Sequence, residues 1–110
     1  MLFKPEHIKM IKEGTKHVTR RTWKRPMVKV GGMYAAQSYM YQPKKECPRI
    51  ECTALYQQIL GDMDEEDADW EGGYTLTEFK VLWERINKKH WNPNEVVWVV
   101  AFRLHEGDER

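Results

Sequence analysis

The chain has 110 residues, a net charge of +1 and a 41% share of hydrophobic residues, and it contains five tryptophans. A chain of this length builds one domain, residues 1–110, with a core large enough to fold without disulfides or a structural metal. The apolar stretch around residues 96–102 is far shorter than a membrane span, and the first residues lack the apolar segment of a secretion signal. We therefore expect a cytoplasmic protein that makes no contact with membranes.

The cysteines and histidines form no metal-binding pattern in the sequence. Cys47 and Cys52 lack the second pair that a cysteine-type zinc site requires, and the four histidines are scattered along the chain. The glycine-rich signatures of P-loops and of dinucleotide-binding folds are missing as well. We therefore expect that both thiols are reduced and that the protein holds no metal and no cofactor. We also expect a monomer.

The charges are strongly segregated along the chain. Residues 14–45 contain no Asp or Glu and eight Lys and Arg residues, whereas residues 61–84 contain nine acidic residues. The first segment is typical of a surface that binds a polyanion such as RNA. The second, the acidic helical region of residues 62–84, is predicted to be either a docking surface for another protein or a solubilising face.

The first half of the chain predicts a short edge strand at residues 2–5, whose end is set by Pro5, then one helix and two further strands. Residues 6–13 have the apolar spacing of a helix, with Pro5 near its start and Gly14 at its C-terminal cap. Residues 17–23 are rich in β-branched and aromatic side chains, and residues 33–41 alternate between two faces. Both of these segments are predicted to be strands.

The second half predicts two strands separated by two helices. Residues 49–60 alternate along a long strand, and the acids at residues 64–67 suit the positive N-terminal end of a helix. Thr75 and Glu78 form a capping box that starts another helix. Residues 95–104 are almost uniformly β-branched or aromatic, which predicts a central strand.

Because the predicted helices do not alternate with the strands, the fold class is α+β. We expect a small β-barrel, closed or nearly closed, of about five to six strands with two to three short helices. Residues 107–110 are expected to form a frayed tail.

Residues 14–23 carry the densest set of chemically active side chains. Arginine presents a planar fork to phosphate or carboxylate oxygens, and an aromatic ring such as that of Trp23 can stack on a nucleobase. The alternative is that the basic residues are solvated strand residues and that Trp23 belongs to the core. On the first interpretation the binding residues are Lys16, Arg20, Arg21, Trp23, Lys24 and Arg25.

The pattern G-x-K-x-x-T-x-R, from Gly14 to Arg21, follows the predicted first helix. Together with the segment E-G-G-Y-T-L-T-E-F-K, from Glu71 to Lys80, and the apolar closing strand, it resembles an ASCH domain over nearly the whole chain. The resemblance implies a PUA-like β-barrel with a cleft beside the G-x-K-x-x-T motif that binds RNA or nucleotides. It also implies an alternative, because some small bacterial members are amidohydrolases that deacetylate N-acetylated cytidine with a lysine, a threonine and a glutamate.

Two functions therefore stand side by side, and RNA or nucleoside binding is the one we favour. In the amidohydrolase alternative the catalytic residues are Lys16, Thr19 and Glu71. Thr19 or a water is the nucleophile, and Glu71 accepts its proton. Lys16 either stabilises the oxyanion or activates Thr19. Lys16 and Thr19 project to opposite faces of a regular strand, so they meet only if Lys16 lies in the turn after Gly14 or the strand bulges. A plainer alternative makes Glu71 an exposed acid at a helix end.

Four further aromatic residues invite two interpretations. They can stack on bases, or they can be core and cross-strand partners, and alternation along strands favours packing. These residues are Tyr39, Tyr41, Tyr56 and Trp70.

Overall fold

In the computed structural model, which describes residues 1–105, four antiparallel strands form one curled sheet that resembles half of a barrel. The order across the sheet is β1-β4-β3-β2. An isolated bridge between Leu2 and Gln37 adds a short extended contact beside it. The strands are β1 (Val18–Arg21), β2 (Met33–Ala35), β3 (Arg49–Ile59) and β4 (Val96–His105).

The two long strands β3 and β4 form the centre of the sheet. Their pairing runs from Arg49 opposite His105 to Ile59 opposite Val96, with a register shift between Cys52 and Ala54. A bulge of this kind bends a strand and increases its local twist, which accounts for the curl of the sheet.

Three helices pack around the sheet: α1 (Pro5–Glu13), α2 (Glu65–Gly72) and α3 (Leu76–Asn87). Helix α1 ends at Gly14, whose φ of 83° lets its N–H bond the carbonyls of Met10 and Ile11. Helices α2 and α3 both begin with capping boxes, at Asp64 and Thr75 respectively. The turn at Gly14 matters for function, because it delivers the chain to the cleft described below.

The buried side chains form three clusters. One joins α3 to β4 and contains Phe79 and Trp83, a second joins α1 to the sheet and contains Phe3, and a third surrounds Cys52 and Val100. Side chains of the first two clusters line one cavity. Both the α3 cluster and the α1 cluster therefore contribute to the wall of this cavity.

The predicted α+β class is confirmed. The helix predicted at residues 6–13 is found, and two further helices begin at the acids of residues 64–67 and at the capping box of Thr75, as expected. The structure has four continuous strands and the bridge at Leu2, where five to six strands were predicted. The frayed tail predicted at residues 107–110 lies outside the described residues. Within residues 1–105, no helix combines the length and apolar character needed to span a membrane.

The prediction of one strand over residues 33–41 is wrong beyond Ala35. The chain turns instead, because the Gln42 side chain closes a loop. Its Oε1 accepts hydrogen bonds from the Ser38 N–H (2.7 Å) and hydroxyl (3.2 Å), and its backbone carbonyl accepts one from Gln37 Nε2 at 2.9 Å. These local bonds replace the strand ladder that the alternating sequence predicts.

Candidate functional site

A cavity of about 590 Å³ opens between the first residues of the chain, β1, the end of α2 and α3. This volume lies within the range of small-molecule sites, roughly 300–1,000 Å³. We call this cavity the cleft. Its polar lining includes Lys16, Thr19, Arg20, Arg21 and Glu71, and its aromatic lining includes Phe3, Trp23, Phe79 and Trp83.

Lys16 lies in the turn between α1 and β1, two residues after Gly14. Its side chain is buried, and its ammonium donates hydrogen bonds to Glu71 Oε1 at 2.9 Å and to the Glu71 carbonyl at 3.0 Å. Because the residue precedes the regular strand, it lines the same cleft as Thr19. The first of the two conditions set out for their convergence is therefore met.

Glu71 is the last residue of α2 before its terminal glycine, and it is 2% exposed. Both of its carboxylate oxygens are used: Oε1 faces Lys16, and Oε2 accepts a hydrogen bond from Arg20 Nη1 at 2.7 Å. The interpretation of Glu71 as an exposed helix-end acid is wrong. The glycine that follows has a φ of 152°, and a side chain there would meet Met10 Sδ at 2.8 Å.

Arg20 extends this arrangement towards the sheet. Its Nε donates to Gln58 Oε1 at 2.9 Å, and its Nη2 lies 3.5 Å from Asp67 Oδ1. Lys16, Arg20 and Glu71, with Gln58 and Asp67 at the edge, form what we call the Glu71 network. Each buried charge in it has an opposite partner, which offsets the cost of removing it from water.

Burial lowers the pKa of the Lys16 ammonium, and the attraction of Glu71 opposes part of that effect. The neutral amine is consequently a larger fraction at a given pH than it is for a lysine in water. A lysine of this kind can act as a hydrogen-bond donor when charged and as a proton acceptor when neutral.

Thr19 and Arg21 form a second polar pair in the cleft. The buried Thr19 hydroxyl accepts a hydrogen bond from Arg21 Nε at 3.1 Å, and it can still donate its own hydrogen. Arg21 Nη2 donates to the Leu2 carbonyl at 2.8 Å, and the guanidinium lies 4.8 Å from the centre of the Phe3 ring. Burial lowers the pKa of Arg21. These contacts fix the plane of the guanidinium.

Comparison with known proteins assigns the architecture. An ASCH domain from Lactobacillus crispatus superposes with a TM-score of 0.73 and 15% identity, over 90% of this chain and 70% of that chain. The chain has the fold of an ASCH domain. A protein from Enterococcus faecalis of the DUF984 family also superposes, with a TM-score of 0.62 and 15% identity, over 88% of this chain and 65% of that one. The sequence matches no model of a known protein family and no curated protein.

The remaining predicted binding residues of the chain fall into two groups, one that lines the cleft and one that does not. Trp23 is half-buried, lines the cleft and packs against the cluster around Cys52 and Val100. Lys24 and Arg25 are exposed, and neither lines the cleft. The structure thus brings Lys16, Thr19, Arg20, Arg21, Trp23 and Glu71 together and leaves Lys24 and Arg25 outside.

His7 also lines the cleft, although no sequence pattern singles it out. Its side chain is buried, and its Nε2 lies 2.9 Å from the Tyr74 hydroxyl. Burial, reinforced by the positive charge of Lys16, lowers the pKa of His7 to about 4. Burial likewise raises the pKa of Tyr74. The cleft therefore presents a neutral imidazole at physiological pH.

No group of His, Cys, Asp and Glu in residues 1–105 is arranged to hold a metal ion. Gln58 and Asp67, which complete the Glu71 network, were also not predicted to be site residues. No local pattern marks them, because their role arises only when β3 and α2 pack near β1.

Replacing Glu71 by alanine leaves Lys16 and Arg20 buried without their shared counter-ion. Removing one member of a buried charge arrangement costs on the order of 3–5 kcal/mol. We expect a loss of that size in the free energy of unfolding of Glu71→Ala, measured with urea. Lys16→Met should lose less, because Arg20 still pairs with Glu71. Glu66→Ala, which removes an exposed acid from the same helix, is the control and should change little. Equal losses for Glu66→Ala and Glu71→Ala contradict the network.

Stability should depend on pH through His7. The pKa of His7 is about 4 in the folded protein, below the ordinary histidine pKa of 6.5, so between these pH values the unfolded chain binds more protons. The free energy of unfolding should therefore fall as pH drops from about 6.5 to 4, by on the order of 2 kcal/mol from this group.

This contribution of His7 is measured by urea unfolding of the wild type and of His7→Gln between pH 7 and pH 4.5. It equals the difference between the two proteins in how the free energy of unfolding changes with pH. His90→Gln, at an exposed histidine, is the control and should follow the wild type. A His7→Gln profile parallel to that of the wild type would count against a buried neutral histidine.

Proposed function

We propose that the cleft binds a nucleoside, either free or as part of an RNA strand. The observation that carries this proposal is the convergence of Thr19, Arg21, Trp23 and the Lys16–Glu71 pair on one cavity of about 590 Å³. Sites for small ligands typically combine an apolar wall with a few fixed polar groups. The cleft of this ASCH fold has both, since Phe3, Phe79 and Trp83 supply apolar wall.

A nucleobase suits this lining chemically. It is a flat ring with hydrogen-bond donors and acceptors along one edge, so it can stack on an aromatic side chain while polar groups bind its edge. In this proposal Trp23, which lines the cleft, supplies the ring for stacking. Thr19 and Arg21 supply a hydroxyl and a guanidinium whose positions are already fixed. Fixed groups lose little entropy when they bind a ligand.

The exposed basic residues support a role with RNA. Lys24 and Arg25 lie outside the cleft on the segment that follows β1, where they can contact phosphates next to a bound base. Contacts of this type strengthen binding at low salt without selecting a sequence.

Isothermal titration calorimetry with cytidine and N-acetylcytidine tests the proposal. Thr19→Val keeps the shape of the side chain but removes the hydroxyl, and we expect its affinity to fall about tenfold, since a lost hydrogen bond in a buried site costs roughly 1–1.5 kcal/mol. Lys9→Ala, at an exposed position of α1, should bind as the wild type does. Absence of nucleoside binding to the wild type contradicts the proposal.

A second candidate function, deacetylation of N-acetylated cytidine, is favoured by the same convergence, because Lys16, Thr19 and Glu71 all line the cleft. Both oxygens of Glu71 already accept hydrogen bonds from cations. In this mechanism neutral Lys16, and not Glu71 as the sequence predicted, is therefore the proton acceptor. Glu71 holds Lys16 in position and balances the charge that Lys16 gains with the proton.

In the proposed reaction, the Thr19 oxygen or a water beside it adds to the acetyl carbonyl carbon, and neutral Lys16 takes the proton of the attacking group. The bond between that carbon and the exocyclic nitrogen then breaks, and the proton passes to the departing amine of cytidine. Where Thr19 attacks, water hydrolyses the resulting ester to acetate and restores the hydroxyl.

The rate of this reaction should rise with pH through the lowered pKa of Lys16, because only the neutral amine accepts the proton. Lys16→Met and Thr19→Val should each lose turnover by at least about 100-fold. Chromatographic separation of cytidine from N-acetylcytidine measures this. Turnover by Lys16→Met at the wild-type rate would exclude the mechanism, and lack of turnover by the wild type would leave nucleoside binding as the function.

A further inference from the structure

A second cavity, of about 660 Å³, lies at the other end of the sheet beside β2 and the start of β3. Its lining includes Lys44, Lys45 and Arg49, with Gln37 and Tyr34 as neutral polar neighbours. Within the described chain, no Asp or Glu lines this cavity, and Glu46, which follows Lys45, is not part of its wall. We call it the basic cavity. Three cations around one concave surface attract an anion with several oxygens, such as a phosphate.

The loop that precedes the basic cavity exposes two tyrosines. Tyr39 is 55% exposed and Tyr41 is 88% exposed, so the interpretation of these residues as packed strand partners is wrong. Tyr41 has a φ of 68°, a backbone conformation that side-chain-bearing residues rarely adopt. The Gln42 side chain holds this loop closed, as described above, and so keeps the rings turned to solvent. We call residues 38–43 the tyrosine loop.

The tyrosine loop runs between residues that line the two cavities. Ser38, at its start, lines the cleft, whereas Gln37, the residue before it, lines the basic cavity. Leu2, which bridges to Gln37, lines the cleft as well. Lys44, the residue after the loop, also lines the basic cavity, so a strand that leaves the cleft past Ser38 can follow the loop and its exposed tyrosines to these cations.

We propose that a single strand of RNA follows this path, with one base in the cleft, neighbouring bases stacked on Tyr39 and Tyr41, and phosphates bound by Lys44, Lys45 and Arg49. Alternation of aromatic rings with cations is the chemistry by which proteins bind single strands without reading their sequence. This inference rests on the proposed nucleoside site and extends it from one nucleoside to a strand.

The lysines are tested by fluorescence anisotropy with a labelled ten-nucleotide single-stranded RNA at 50–200 mM NaCl. The double variant Lys44→Ala/Lys45→Ala removes two phosphate contacts, so the slope of log affinity against log salt should become shallower by about 1.4, at about 0.7 per contact. Its affinity at low salt should fall at least about tenfold. The matched control Lys9→Ala/Lys12→Ala removes two exposed charges from α1, a helix that does not line the basic cavity. This variant should keep the wild-type slope.

The tyrosines are tested in the same assay with Tyr41→Gly. Glycine adopts a positive φ readily, so this variant should fold at least as well as the wild type while losing the ring. We expect its affinity for the RNA to fall about 5- to 10-fold, the loss of one exposed stacking partner. Tyr56→Ala removes a ring that is 46% exposed on β3, away from the tyrosine loop, and should bind as the wild type does.

The extension and the nucleoside site can fail separately. Calorimetry with cytidine should give the same affinity for the wild type and for Lys44→Ala/Lys45→Ala. If cytidine binds but the lysine variant keeps the wild-type salt slope, the RNA path is overturned and the nucleoside site stands. If cytidine does not bind but RNA binding still depends on Lys44 and Lys45, the nucleoside site is overturned and the basic cavity stands as a phosphate-binding surface.

Discussion

The carboxylate of Glu71 is the shared counter-ion of Lys16 and Arg20, and the site depends on it. These three residues come from the end of α2, the turn after α1 and strand β1. An ion pair that is removed from water is stable only when each charge finds a partner with good geometry. The pairing therefore ties three separate parts of the chain to one arrangement, and the inner end of the cleft is fixed before any ligand enters.

Several local features of the backbone serve this arrangement. Gly14 ends α1 and lets the chain turn, so that Lys16 enters the cleft before the regular pleat of β1 begins. The glycine after Glu71 allows the end of α2 to pass close to Met10. Lys16 is buried beside a carboxylate, and burial lowers its pKa. The same geometry thus supports both proposed functions, a preformed binding site and a lysine that can exchange a proton.

Much of the fold could be predicted because the signals are local. Residues 49–60 and 95–104 match β3 and β4 within about one residue, and the capping box at Thr75 marks the start of α3. The motif from Gly14 to Arg21 also singled out Lys16 and Thr19, and both side chains line the cleft.

The predictions that were wrong concern segments whose structure depends on side-chain hydrogen bonds or on packing between elements. The periodicity of a sequence does not indicate such contacts. Residues 33–41 alternate like a strand, yet the Gln42 side chain turns the chain after Ala35 and exposes Tyr39 and Tyr41. The acids of α2 look alike in sequence, but helix rotation buries Glu71 and leaves Glu66 exposed.

The central claim, that the cleft holding the Glu71 network is a nucleoside site, is tested most directly by a nuclear magnetic resonance titration of the ¹⁵N-labelled protein with cytidine. If cytidine binds in the cleft, the amide signals that shift will belong mainly to two segments. These are residues 16–23, which include the turn and β1, and residues 70–73 at the end of α2. Shifts confined to other parts of the chain, or no shifts at millimolar cytidine, would contradict it.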